Sequence, residues 1–116
     1  MTIEIGMITF DTADPAPLVG FWTEALGTTV LEDHGDFVIL APATEGGVHL
    51  AFQRVDDPTP GKNRVHFDAH VTDLDAEVGR LVALGAAEVE RHSHEGLTWQ
   101  VLADPDGNRF CLARSG

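Results

Sequence analysis

The segment NRVHFDAHVTDL, residues 63–74, sets His66, Asp68 and His70 at alternate positions, with Phe67, Ala69 and Val71 between them. Side chains of an extended strand alternate between its two faces, so the two imidazoles and the carboxylate share one face. That set suits three uses: ligation of a divalent metal, acid–base work with His66 as the base and Asp68 as its orienter, or the polar lining of a wetted sheet.

Other residues could join them. In MITFDT, Asp11 shares parity with Met7 and Thr9 and is a candidate contact for a cationic ligand group. Trp99, in GLTWQVL, either stacks on a flat ligand or packs against a helix, since the parity of its strand is open. Cys111 is the only cysteine; it is either a thiol in a pocket or a small hydrophobe in the core. ADPDGN lacks most of the donors of a calcium loop and reads as a turn, and His92 and His94 in RHSHEG read as a solvated hairpin.

The elements that position these residues come in a repeated order. IEIGMITFDT alternates as a first strand, and DPAPLVGFWTEALG follows as a helix with Asp14 as cap, Pro15 in its first turn and Gly27 at its end. Leu18, Trp22 and Ala25 form its apolar stripe, and TTVLED, DFVILAP and VHLAFQRV supply three more strands. DDPTPGKNR is a connecting loop. RVHFDAHV then starts the same order again: a helix over TDLDAEVGRLVALG, with Thr72 and Asp75 spaced as a capping box and Gly85 as its stop, and strands over AAEVERH, LTWQVLADP and GNRFCLARS.

Landmarks match in order between the halves: ALG with ALG, ILAP with VLADP, GVHLAF with GNRFCL. An internal duplication explains them most simply. Repeat 1 spans about residues 3–55, repeat 2 about 64–114 and the loop 56–63, within a single domain over 1–116. Each helix covers one face of its own sheet, so Phe67, Ala69 and Val71 meet the helix, as do Ile8 and Phe10 in the first half. The polar residues look the other way, and the free faces are expected to line a trough.

The 116 residues carry 19 acidic against 7 basic side chains, a net charge of −12. That field repels phosphate backbones and anionic membranes, so neither nucleic acid nor membrane is an expected partner, whereas a small neutral or cationic ligand is tolerated. A single cysteine excludes an intramolecular disulfide. MTIEIGMITF has neither a basic leader nor a long apolar run, which points to a cytoplasmic protein.

The duplicated order, with FWTEALG after the first strand and LADPDGNRFCL at the end, resembles the vicinal oxygen chelate superfamily, which holds glyoxalase I, bleomycin-resistance proteins and extradiol dioxygenases. DTADPAPLVGFW, PGKNRVHFDAHVTDLDAEVGRLVALGA and GLTWQVLADPDGNRFCL are similar to its bacterial glyoxalase-like domain subfamily, over essentially the whole chain. The resemblance implies an α+β fold of two tandem βαβββ units whose curved mixed sheets surround a cleft, and it implies a homodimer.

Metal-using members of the superfamily draw two ligands from the first and last strands of each half. The matching positions here are Met7, Ala51, His66 and Cys111. Only His66 is a usual ligand, so the resemblance implies an incomplete metal site and disfavours a divalent metal as cofactor; a shift of register would put His49 or Gln53 in place of Ala51. Two functions follow. The first is metal-independent binding of a small molecule by Asp11, His66, Asp68, His70, Trp99 and Cys111. The second is a lyase, isomerase or dioxygenase acting on a small oxygenated substrate, through a residual metal at His66 or through His66 and Asp68 as base and orienter.

Overall fold

A computed structural model describes residues 5–60 and 66–115. The chain divides between residues 59 and 60 into two compact units of matching topology. The parts of the expected first and fifth strands at residues 3 and 4 and at residues 64 and 65 lie outside the described residues, as do residues 61–63 of the expected loop.

The first unit runs β1 (Met7–Thr12), α1 (Pro15–Leu26), β2 (Val30–Asp33), β3 (Phe37–Leu40) and β4 (His49–Arg54). Its sheet order is β1-β4-β3-β2, with β1 and β4 parallel and the other pairs antiparallel. Asp14 caps α1 by accepting from the Ala16 amide at 3.3 Å, Pro15 sits in the first turn, and Gly27 takes the left-handed conformation (φ 68°) that closes the helix. The buried stripe is Leu18, Phe21 and Trp22, with Phe21 beside the expected residues and Ala25 only half-buried. Phe10 bridges helix and sheet, its ring 6.1 Å from that of Trp22 and 5.5 Å from that of Phe52. Trp22 and Phe52 are core residues.

The first strand is shorter than its alternating pattern suggested. Ile5 lies outside it and is 72% exposed. The parallel register begins at Met7 opposite His49, and the Gly6 carbonyl just before it accepts from the His49 amide at 2.9 Å.

The second unit runs β5 (Asp68–His70), α2 (Leu74–Leu84), β6 (Ala87–His94), β7 (Leu97–Ala103) and β8 (Arg109–Ser115), in sheet order β5-β8-β7-β6. Leu74, Val78 and Leu81 form the buried face of α2. Phe110 and Leu112 are buried on β8, and the Phe67 and Phe110 rings stack at 6.1 Å. The cap of α2 is Asp73, not Thr72. Its carboxylate accepts from the Ala76 amide at 3.1 Å, and a charged oxygen at the positive end of a helix is the stronger cap. Alanine at that third position cannot answer the cap, so no capping box forms.

Gly85 ends α2 as expected, at φ 124°. A polar clamp at the surface then ties helix to sheet. Arg91 donates to Asp75 on α2 at 2.8 Å and to the Gln100 side-chain oxygen at 3.0 Å, and Gln100 also donates to the Glu90 carbonyl at 3.1 Å. No helix among the described residues is long and apolar enough to cross a membrane.

Candidate functional site

Among the described residues, β5 is paired on one side only, with β8. Asp68 and His70 stand opposite Cys111 and Ala113 on β8, and the ladder continues one step before β5, where the Phe67 carbonyl accepts from the Cys111 amide at 3.0 Å. Phe67 and Ala69 are half-buried, while His66, Asp68 and His70 are exposed. Helix α2 covers the other face, as the alternation demanded.

β7 continues the open face. Trp99 pairs with Ala113 and Val101 with Cys111, so the indole sits diagonally across from the thiol on the neighbouring strand. This settles the parity of Trp99: Gln100 and Leu102 take the helix side and are buried, and Trp99 takes the open side. His66, Asp68, His70, Trp99 and Cys111, with Leu97 and Ala113, line one open pocket of about 350 Å³. Every residue of it belongs to the second unit.

Three of these groups converge further. One ligand-capable atom each from His66, Asp68 and Cys111 lies within 4.8 Å of the other two, and the Nε2 of His66 is 3.9 Å from the Oδ1 of Asp68. Cys111 is 6% exposed, yet its side chain reaches this cavity rather than the helix face. His66 and Asp68 are 54% and 57% exposed, and an ion pair so wet contributes little to stability. Their role is therefore not to hold the sheet together.

His92 lies in the hairpin expected at RHSHEG, and it stands beside the pocket through Trp99. β6 extends to His94, and the turn is only Glu95 and Gly96, both at positive φ (49° and 81°). That two-residue turn sets the register His94 to Leu97 and His92 to Trp99, and the imidazole of His92 stacks on the indole at 5.2 Å and 27°. His92 is half-buried, with its Nε2 3.4 Å from Glu90. The signal that could have located it was the Glu-Gly turn, which fixes which residues face each other across the hairpin.

The turn at ADPDGN holds the other end of β7. Asp104, buried, accepts from the Asp106 and Asn108 amides at 3.0 and 2.9 Å and from the Asn108 side chain, while Gly107 supplies φ 87°. It is a turn, as expected, and it fixes β7 against β8 so that Trp99 stays beside Cys111.

Asp11 belongs to the first unit, on β1 opposite Gln53, and is not among the residues lining this pocket. The two sheets share a register: Thr9 pairs with Ala51 as Asp68 pairs with Cys111, and Met7 stands where His66 stands. The same backbone thus carries a thioether, a hydroxyl and a methyl in one unit and an imidazole, a carboxylate and a thiol in the other. His49, the candidate substitute for Ala51, has its Nδ1 2.9 Å from the Leu40 carbonyl. The first unit has a separate groove, about 470 Å³, between α1 and the β2–β3 hairpin, beside Asp14 and Asp33.

The four-position metal set of the superfamily does not fit these residues. A methyl group at Ala51 has no lone pair to donate, and a thioether at Met7 is a poor ligand for a hard or borderline ion. What the second unit could offer a metal by itself is one nitrogen, one oxygen and one sulfur, from His66, Asp68 and Cys111. That is a softer set.

Comparison with solved structures places this architecture. A glyoxalase/bleomycin resistance protein/dioxygenase family enzyme from Burkholderia phytofirmans PsJN superposes with a TM-score of 0.82 at 18% identity, over 98% of this chain and 100% of that one. A genomically encoded fosfomycin resistance protein, FosX, from Listeria monocytogenes gives 0.80 at 15% identity, over 100% and 96%. A glyoxalase-related enzyme from Fulvimarina pelagi gives 0.76 at 18%, over 97% and 88%. At these identities the likeness is one of fold. A search of curated proteins gave no match. The sequence model of the Glyoxalase-like domain matches residues 7–113, and with the duplicated βαβββ architecture it shows that this chain belongs to the glyoxalase-like family of the vicinal oxygen chelate superfamily.

Proposed function

We propose that this protein binds a small, planar, neutral or cationic organic molecule in the pocket of its second unit, without the full metal site of its superfamily. One observation carries the reading: five side chains chosen by chemistry and parity, His66, Asp68, His70, Trp99 and Cys111, meet in a single cavity of about 350 Å³. A cavity of that size is in the range of small-ligand sites, and it combines an aromatic wall with a few polar groups that can orient a guest. Trp99 supplies the flat face, and Asp68 the negative charge for a cationic substituent. The net charge of −12 works against strongly anionic guests. Solved structures of this fold include a fosfomycin resistance protein, whose name points to handling of a small organic compound.

A second reading is enzymatic, on a small oxygenated substrate. It draws on the 3.9 Å separation of His66 and Asp68, near enough for the carboxylate to orient the imidazole as a base once a substrate draws the two together. We further propose a homodimer and a cytoplasmic location.

A thermal-shift panel of uncharged and cationic planar compounds, none of them electrophilic, tests the binding reading. Compounds that raise the midpoint in the parent chain and fail to do so in Trp99→Ala support it; an empty panel contradicts it. Elemental analysis of protein purified without chelator tests the metal form of the enzymatic reading, which requires close to one divalent ion per chain.

A further inference from the structure

We propose that Cys111 is a nucleophile that captures small neutral α,β-unsaturated carbonyl compounds covalently, with His66 as its base and Asp68 as the positioning residue of that base; this deepens the pocket reading above and rests on it.

The thiol has an imidazole and a carboxylate close beside it on the same sheet face. Its sulfur, a nitrogen of His66 and an oxygen of Asp68 lie within 4.8 Å of one another, the nucleophile, base and orienter arrangement with the looseness usual before a reactant is present. The sulfur is fixed by its backbone: Cys111 is the register partner of Asp68, and its amide is held by the Phe67 carbonyl at 3.0 Å, one residue from His66.

Access and selectivity follow from the strand neighbours. Cys111 is 6% exposed and borders the cavity, so a reagent reaches it by entering the pocket. Trp99 lies diagonally across from it on β7, and a conjugated planar molecule stacked on the indole is presented edge-on to the sulfur. The titratable groups on this face are His66, Asp68 and His70 from the β5 side, Arg109 from β8 itself, and His92 and His94 from β6 opposite Trp99 and Leu97, which carry none. The protein's negative charge leaves neutral electrophiles as the better guests.

The step balances without a co-reactant. His66 takes the proton of the thiol, and the sulfur electron pair forms a bond to the β-carbon of the enone. The π pair of the carbon–carbon double bond moves toward the carbonyl as an enolate, and the imidazolium returns the proton to the α-carbon. The product is a thioether, and no leaving group departs. The chain has one thiol, so capture is limited to one adduct per chain.

The test is the rate of N-ethylmaleimide addition to the full chain, followed by intact mass between pH 6 and 9, with the same chain unfolded in urea as the ordinary-thiol reference. The account expects the native rate at pH 6.5 to exceed the unfolded rate by about tenfold or more, because an ordinary thiol titrates near about 8.5. His66→Gln should remove that excess and move the rise of the pH profile to the ordinary range, and Asp68→Asn should reduce it several-fold, each with an unchanged circular dichroism spectrum. A native rate at or below the unfolded rate overturns the proposal, as does full reactivity in both variants. Reactivity that appears only after chelator treatment also overturns it, since the thiol is then a metal ligand. The thermal-shift panel contains no electrophile, so hits there with slow alkylation defeat capture alone, whereas an empty panel defeats the pocket reading.

Discussion

His66 Nε2 stands 3.9 Å from Asp68 Oδ1 on the open face of the second sheet, and both side chains are more than half exposed to solvent. Exposed pairs of this kind hold a fold together by about 0–1 kcal/mol. Asp68→Asn and His66→Gln should therefore shift unfolding free energy by less than about 1 kcal/mol in urea titrations. Both should weaken binding of any compound found in the thermal-shift panel by about tenfold, the worth of one charged hydrogen bond. Equal losses of stability and affinity would mean that the pair is structural.

Trp99 and His92 stack at 5.2 Å, and Trp22, the other tryptophan, is buried at 2% exposure. Quenching of fluorescence by a pocket ligand should thus come from Trp99 and vanish in Trp99→Phe. His92→Ala removes one side of the stack, and it should weaken ligand binding by about threefold to tenfold, in line with about 0.5–1.5 kcal/mol for an aromatic pair. Quenching that survives in Trp99→Phe would place the ligand elsewhere.

The two units repeat a register and differ in chemistry, and that contrast shows what the sequence could reveal. Periodicity, Gly27 and Gly85 at the helix ends, and the order of the landmarks are local signals, and both units formed as they indicated. The alternation His66, Asp68, His70 likewise placed three polar groups on one face. The partners across the sheet were harder to read. The direction of Trp99 depends on which side α2 packs, and the approach of Cys111 to His66 depends on pairing between strands more than 40 residues apart. The hairpin at RHSHEG was legible as such, but the stacking of His92 on Trp99 was not, because it depends on the register set by the two-residue turn at Glu95 and Gly96. The cap of α2 moved by one residue because Asp73 and Thr72 are both capping types and only the chain path decides between them.

Phe110 is 2% exposed and stacks on Phe67, directly before Cys111. Phe110→Ala should cost about 3–5 kcal/mol by emptying the core between α2 and the sheet. Urea unfolding measures it, and a cost under about 1 kcal/mol would show that the helix does not pack there.

Asp104 and Arg91 separate buried from exposed polar contacts. Asp104 is 4% exposed and organises the turn before β8, so Asp104→Ala should destabilise the chain by roughly 1–3 kcal/mol. Arg91 pairs with Asp75 at 2.8 Å across a surface where the two side chains are 41% and 84% exposed, and Asp75→Ala should cost under about 1 kcal/mol. The reverse order in denaturation experiments would contradict this assignment of the two contacts.

The most direct test of the central claim is a map of amide chemical-shift changes as a panel compound is titrated into the labelled protein. The account predicts saturable shifts centred on His66, Asp68, His70, Trp99 and Cys111 in the second unit, with the matching positions Met7, Thr9 and Ala51 of the first unit changing less. Shifts centred instead on the groove beside Asp14 and Asp33, or spread evenly over both units, would contradict it.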